Sequence, residues 1–326
     1  MLVRLISTVI VALLASTAHA QALNLNLAGA SPSGLWTLLG VGLDQAAKKS
    51  APGSTITYQT SGGGYANIAL VDRGQAQLGL VHDAELKIAL AGKPPFRTPI
   101  NSLRAIGYMY NWAPMHFFVT KQAAERYDLH SLADIAAKKV PLKIAVNRPG
   151  NITGEIALAM LQEVGVTPEL LKQWGGDVIY AGSGDQTGLI VDGRIDVITN
   201  GIFVGHSSFR QVDNSLDVVL LAVPEDAIAR LNEQFGTRTF VIPNASYKHQ
   251  DKDVSTIALG ALLVTSHAMT DDTAYRLTRA MIDNLDEIRK VHPAMTALTP
   301  EILVSQRVVD FHPGAWRAFK EAGFIE

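Results

Sequence analysis

The chain has 326 residues, 48% of them hydrophobic, with 28 Lys and Arg against 30 Asp and Glu for a net charge of −2, and no cysteine. That length and apolar share are enough for about two domains with cores of their own. The mixed, near-neutral charge argues against nucleic acid and anionic membrane surfaces as partners, and the missing cysteines exclude disulfides, thiolate catalysis and thiolate metal sites.

The N-terminus carries Arg4, an apolar run over Leu5–Ala15 and the small-x-small triplet Ala18-His19-Ala20. This is the pattern of a secretory signal cut after Ala20. The run is too short to span a bilayer, which takes about 20 residues. An exported, periplasmic protein with no stable membrane insertion after cleavage is therefore expected.

Leu25–Leu27 reads as a strand that enters a loop with Gly29, Ser31, Ser33 and Gly34. A helix then starts at Leu35, its apolar stripe at Leu35, Leu38, Leu39, Leu43 and Ala46, and Pro52-Gly53 ends it. Ile56–Gln59 leads to Ser61-Gly62-Gly63-Gly64, which opens a helix ending near Gly74, followed by strand-like Leu78–Val81. Leu103–Tyr110 and Met115–Thr120 read as two strands around Pro114, and His130–Ala137 as a short helix with Ser131 a candidate N-cap.

Lys143–Val146 then enters a loop with Gly150, Asn151, Thr153 and Gly154 before a helix from Ile156. Gly182-Ser183-Gly184 opens a helix ending Ile190-Val191-Asp192-Gly193, followed by strand-like Ile195–Thr199. Glu225–Phe235 suits a helix, Thr239–Asp253 is polar and irregular, and Ile257–Thr265 is a buried strand. Thr270 caps a helix with Asp271 and Asp272 in its first turn and an apolar face running to Leu285 and Ile288. Pro313-Gly314 precedes a last helical turn that stops at Gly323.

The two strand–loop–helix pairs recur at nearly the same offset, which reads as two similar α/β lobes pointing glycine-rich loops and helix N-termini at each other. Met115–Thr120 and Ile257–Thr265 would be two crossover hinge strands. Residues 21–117 with 263–326 would form lobe 1, and residues 118–262 lobe 2.

Motifs for catalysis are weak. Ser33 stands where a nucleophile elbow needs its closing glycine, and Asn67 and Thr187 break the dinucleotide fingerprint. The nine histidines show no helical pair at metal spacing, so neither metal nor cofactor is expected. His82 beside Asp83 suits a polar cleft wall better than a base, and His116 suits a satisfied core position.

Donors for an anion are plentiful. Ser31, Ser33, Gly34, Ser61, Gly62 and Gly63 offer hydroxyl and backbone N–H groups on one side, and Gly150, Asn151 and Thr153 on the other. Arg148 is the one charge inside a candidate loop and suits a carboxylate clamp. Trp36 and Tyr65 start the helices beside the first two loops as candidate cleft walls. Asn200 follows Ile195–Thr199 at the same edge, and Tyr247 would reach the hinge side.

On these residues the chain resembles the TAXI-type solute receptors of tripartite ATP-independent periplasmic (TRAP) transporters. The motifs are Gly29–Gly40, Ser61-Gly62-Gly63-Gly64-Tyr65-Ala66-Asn67-Ile68, Val81-His82-Asp83-Ala84, Pro149-Gly150-Asn151, Gln250–Val254, His312-Pro313-Gly314-Ala315 and Glu321-Ala322-Gly323. The resemblance implies an α/β, two-lobed type II periplasmic binding protein fold. It also implies delivery of a small organic anion, a carboxylate or acidic amino acid, to TRAP membrane subunits driven by an ion gradient. The departures fall in the pocket loops: Trp36 replaces a usual tyrosine, His82 a usual glutamine, Asn151-Ile152 a usual Ser-Gly, and Arg148 is added. A binding protein and not an enzyme is expected; the alternatives are an exported sensor subunit and, behind it, an exported enzyme using His82 and Asp83.

Overall fold

In the computed structural model, residues 21–32 and 34–326 are described; the expected signal over 1–20 and the candidate Ser33 lie outside the described residues. Ten strands form a continuous mixed sheet. They are β1 (Asn24–Ala28), β2 (Thr55–Gln59), β3 (Leu78–His82), β4 (Leu103–Thr120), β5 (Lys143–Val146), β6 (Asp177–Tyr180), β7 (Val197–Gly201), β8 (Val218–Leu220), β9 (Arg238–Ile242) and β10 (Val254–Ser266).

The strand order is β2-β1-β3-β10-β4-β7-β5-β6. The two ends mirror each other: β1 pairs in parallel with β2 and β3, and β5 pairs in parallel with β6 and β7. This is the repeat read from the sequence, now as two halves of a sheet joined by antiparallel β10 and β4. Helices cover both faces, as the parallel ends require.

Two long strands carry the chain between the halves. β4 pairs with β10 from Leu103 to Pro114 and with β7 from Met115 to Val119. It is one strand of 18 residues where the sequence suggested two. Pro114 sits where β4 changes partner, a place that tolerates a missing N–H. Its carbonyl still accepts from Ile202 N at 3.1 Å. The segment after Phe235 is also more regular than expected, since β9 pairs with Val254–Ala258 of β10.

The helix Leu35–Ser50, α1, buries Leu35, Trp36, Leu39, Leu43 and Ala46. Gly64–Asp72 is α2 and Asp83–Leu90 is α3. Thr270 caps Asp271–Asp283 through a bond from Thr273 N, and Ser131 lies at the N-cap of Leu132–Ala137 as expected. Three apolar cores fill the fold: one reaches from α1 across β10 and β4 to Phe203 and Phe209, one is centred on β5, β7 and the helix Ile152–Glu163, and a third joins α2, α3 and β3 to Tyr108 and Leu262. Burial at about 25 cal/mol per Å² of apolar surface stabilises these cores, and the first of them runs through both halves. No helix among the described residues is long and apolar enough to cross a membrane.

Candidate functional site

A cavity of about 160 Å³ lies between the two halves. One wall comes from the loop after β1 with the start of α1, from the loop after β2, and from His82 and Tyr110. The other comes from the loop after β5, the start of the helix Ser183–Val191, and the end of β7.

The first wall is braced by its own hydrogen bonds. Asn67 Nδ2 donates to Gly29 O and to Leu80 O, both at 2.7 Å. Ser61 Oγ lies 2.7 Å from Gly29 O and 2.6 Å from Asn67 Oδ1, and accepts from Gly63 N at 3.0 Å. Tyr58 OH accepts from Ala30 N at 2.7 Å. The Ser61 hydroxyl is thus spent on shaping the loop. Gly34 precedes α1 in extended conformation and without a side-chain cap; Thr37 N donates to Gly34 O at 3.3 Å, which leaves the N–H groups of Leu35 and Trp36 open.

Trp36 is buried, and its Nε1 donates to Tyr110 OH at 2.9 Å. Its ring lies 4.8 Å from that of His82. His82 is held from behind by Glu85, whose Oε2 is 3.2 Å from Nδ1. Tyr110 reaches the cavity because of a bulge. β10 residues Leu262 and Ala261 face Tyr108 and Tyr110, with Met109 skipped between them. The bulge lets two tyrosines at an even spacing enter different cores.

In the second wall, Asn147 Nδ2 donates to Thr153 Oγ1 at 3.1 Å, and Asn147 Oδ1 accepts from Arg148 N at 2.8 Å. Asn151 Oδ1 caps its helix by accepting from Thr153 N at 3.0 Å and Thr153 Oγ1 at 2.7 Å. Asn200 Nδ2 donates to Ser183 Oγ at 2.6 Å, both side chains being buried. The helix Ser183–Val191 starts from Gly182 with no side-chain cap. Arg148 Nη2 lies 2.5 Å from Asp185 Oδ2, with 62% and 59% of the two side chains exposed.

Of the residues singled out in the sequence, Ser31, Gly34, Trp36, Ser61, Gly62, His82, Arg148, Asn151, Thr153 and Asn200 line this cavity. Gly63, Tyr65, Gly150 and Tyr247 do not. Gly63, at φ 112°, starts α2 and faces Asn151 across the seam. Tyr65 crosses to the other lobe, its OH donating to Glu155 Oε2 at 3.0 Å. Burial raises the Glu155 carboxyl above the usual range, with repulsion from Glu85 adding to it. Tyr247 is in the core behind the second wall, its OH 2.9 Å from His116 Nε2. His116 is the satisfied core residue expected, bonded also to Pro114 O.

Three lining residues were not singled out as donors: Asn147, Ser183 and Tyr110. Gly182-Ser183-Gly184 was visible as a helix opening, and a buried hydroxyl there was the available signal. Nothing local distinguishes Tyr110 within its strand.

Two lobes, two connecting strands and a cavity between helix N-termini define a two-lobed periplasmic binding protein fold. The chain matches the NMT1-like family over residues 27–323 and belongs to that family. No curated protein matches its sequence. It is similar in fold to the periplasmic binding protein BugD, at 13% identity and a TM-score of 0.58, covering 93% of this chain and 94% of that one. It is similar likewise to MatC from Rhodopseudomonas palustris with bound malate, at 14% identity and a TM-score of 0.56, covering 93% and 96%. At these identities the likeness is one of fold.

Proposed function

We propose that this chain is a periplasmic solute-binding protein that closes its lobes on a small carboxylate-bearing anion and hands it to the membrane subunits of an ion-gradient-driven transporter of the TRAP type. Residues 21–117 and 263–326 serve as one lobe and 118–262 as the other, after an export signal is removed at Ala20. The observation that carries the reading is a pair of helix N-termini without side-chain caps, at Gly34 and Gly182, one on each side of a single cavity. Their open N–H groups and partial positive charge suit an anion that needs no full counter-charge. Ser31, Ser183, Asn200 and Arg148 add polar contacts, and the Trp36–His82 wall takes the ligand's body.

The anion would complete contacts to both walls only when the lobes are together, so it would favour the closed form. The test is a thermal-shift screen of keto acids, mono- and dicarboxylates and amino acids on the mature chain. A true ligand raises Tm progressively with its concentration, because it binds the folded state alone. A full panel that leaves Tm unmoved defeats the anion-binding reading.

A further inference from the structure

Four helices start around the cleft: α1, α2, Ile152–Glu163 and Ser183–Val191. All four ends are equivalent in principle as anion cradles. One of them, the start of Ile152–Glu163, already holds an anion, and it belongs to the protein. The Glu85 side chain is fully buried. Its Oε1 accepts from Ile152 N, the first N–H of the opposite lobe's helix, at 3.3 Å. Its Oε2 accepts from His82 N at 2.9 Å and packs so tightly on α2 that a Cβ at Gly64 would fall 1.7 Å from it. Among the described residues, no lysine or arginine comes within ion-pair distance of Glu85. The helix ends at Gly34 and Gly182 border the cavity; at the second of them Asp185 stands in the first turn, paired with Arg148.

Resting on the anion-binding reading above, we propose that Glu85 is a specificity-determining residue that restricts the site to ligands with a single carboxylate and a compact neutral body. The first carboxylate takes the uncapped ends of α1 and Ser183–Val191. A second one would face a wall where His82 is backed by the Glu85 carboxylate, 3.2 Å from its Nδ1, where the Ile152 amide behind the lining is already taken and Glu155 adds like charge outside it, and where Asp185 competes for Arg148. Like charges brought near one another in a partly desolvated site repel, so discrimination of about tenfold or more is expected. The small cavity and its apolar lining by Leu35, Trp36, Tyr110 and Ile202 suit a compact body.

The experiment is calorimetric titration of matched pairs, butanoate with succinate and benzoate with phthalate, on the mature chain and on two variants. The native protein should bind the monoanion of a pair about tenfold or more tightly than the dianion. Glu85→Gln keeps the shape but removes the charge, and should narrow the ratio by about tenfold. Glu155→Gln, at a half-buried position, should narrow it in the same direction and serves if Glu85→Gln fails to fold. A native preference for the dianion, or a ratio unmoved in every variant that folds, overturns the proposal while carboxylate binding stands. Silence from every carboxylate overturns the anion-binding reading and this proposal with it.

Discussion

Ser183 Oγ accepts from Asn200, which leaves its own hydrogen free to donate into the cavity. Ser183→Ala should therefore weaken anion binding by about 1–2 kcal/mol in calorimetric titration, part of it from stranding the Asn200 amide. An unchanged Kd would remove Ser183 from the ligand. Arg148 is a different case, because it is exposed and already paired with Asp185. Its loss through Arg148→Ala should cost only about 1 kcal/mol, in line with exposed ion pairs. His116 makes a prediction about pH. Burial lowers its pKa from 6.5 to about 4, against the weaker opposing pull of backbone carbonyl bonds. The unfolded imidazole takes up a proton where the folded one stays neutral, so stability falls as pH drops from about 6.5 toward 4 and flattens below. The loss attributable to this one ring is on the order of 3 kcal/mol. Urea melts at pH 7 and pH 4.5 check it, and His116→Gln should shrink the difference. At this scale the sequence was partly legible: small and polar residues in glycine loops point to a cleft, while Tyr110 depends on a bulge that no local pattern reveals.

The elements were most legible where apolar periodicity and turn residues agree, as in α1 between Gly34 and Pro52-Gly53. They were least legible where tertiary pairing decides. β9 runs Arg238-Thr239-Phe240-Val241-Ile242 at an exposed edge, paired with β10 alone, so only Ile242 is buried. The apolar stripe after Thr270 continues through Leu285 and Ile288, yet the backbone breaks at Asn284 into a second short helix. Asn284 leaves helical geometry there, and a side-chain stripe cannot register a change confined to one residue's backbone. Close approach is likewise invisible in sequence until it is measured. Gly260 of β10 lies so near β4 that a Cβ would sit 1.8 Å from Tyr108 OH, which itself donates to Asp83 Oδ2 at 2.6 Å. Gly260→Ala should thus displace Tyr108 from Asp83 and destabilise the fold by about 2–4 kcal/mol, read as a lower urea midpoint with an unchanged m-value. A native-like midpoint would mean that β10 shifts freely at this crossing.

For the whole molecule, the internal repeat was the strongest clue, because two similar half-sheets facing each other leave one natural place for a ligand. What the repeat does not reveal is how the halves hold each other. The contact is made beside the cavity, by Tyr65 to Glu155 and by Glu85 to Ile152 N. Tyr65 looked like a cleft wall because an aromatic after a glycine loop usually is one; here it reaches past the ligand space to the other lobe. This contact needs no ligand, so it should bias the empty protein toward closure. Tyr65→Phe removes the donor and keeps the ring against Phe96, whose centroid is 5.8 Å away. The bond is worth about 0.5–1.5 kcal/mol, enough to shift an open–closed ratio several-fold. Small-angle scattering of the empty variant should then report a larger radius of gyration than the native chain, and saturating ligand should bring the two curves together. Affinity should fall by the same about 0.5–1.5 kcal/mol, because part of the binding energy would go to closing the lobes. If the empty variant and the native chain scatter alike and bind alike, the seam at Tyr65 is only packing, and closure rests on the ligand alone.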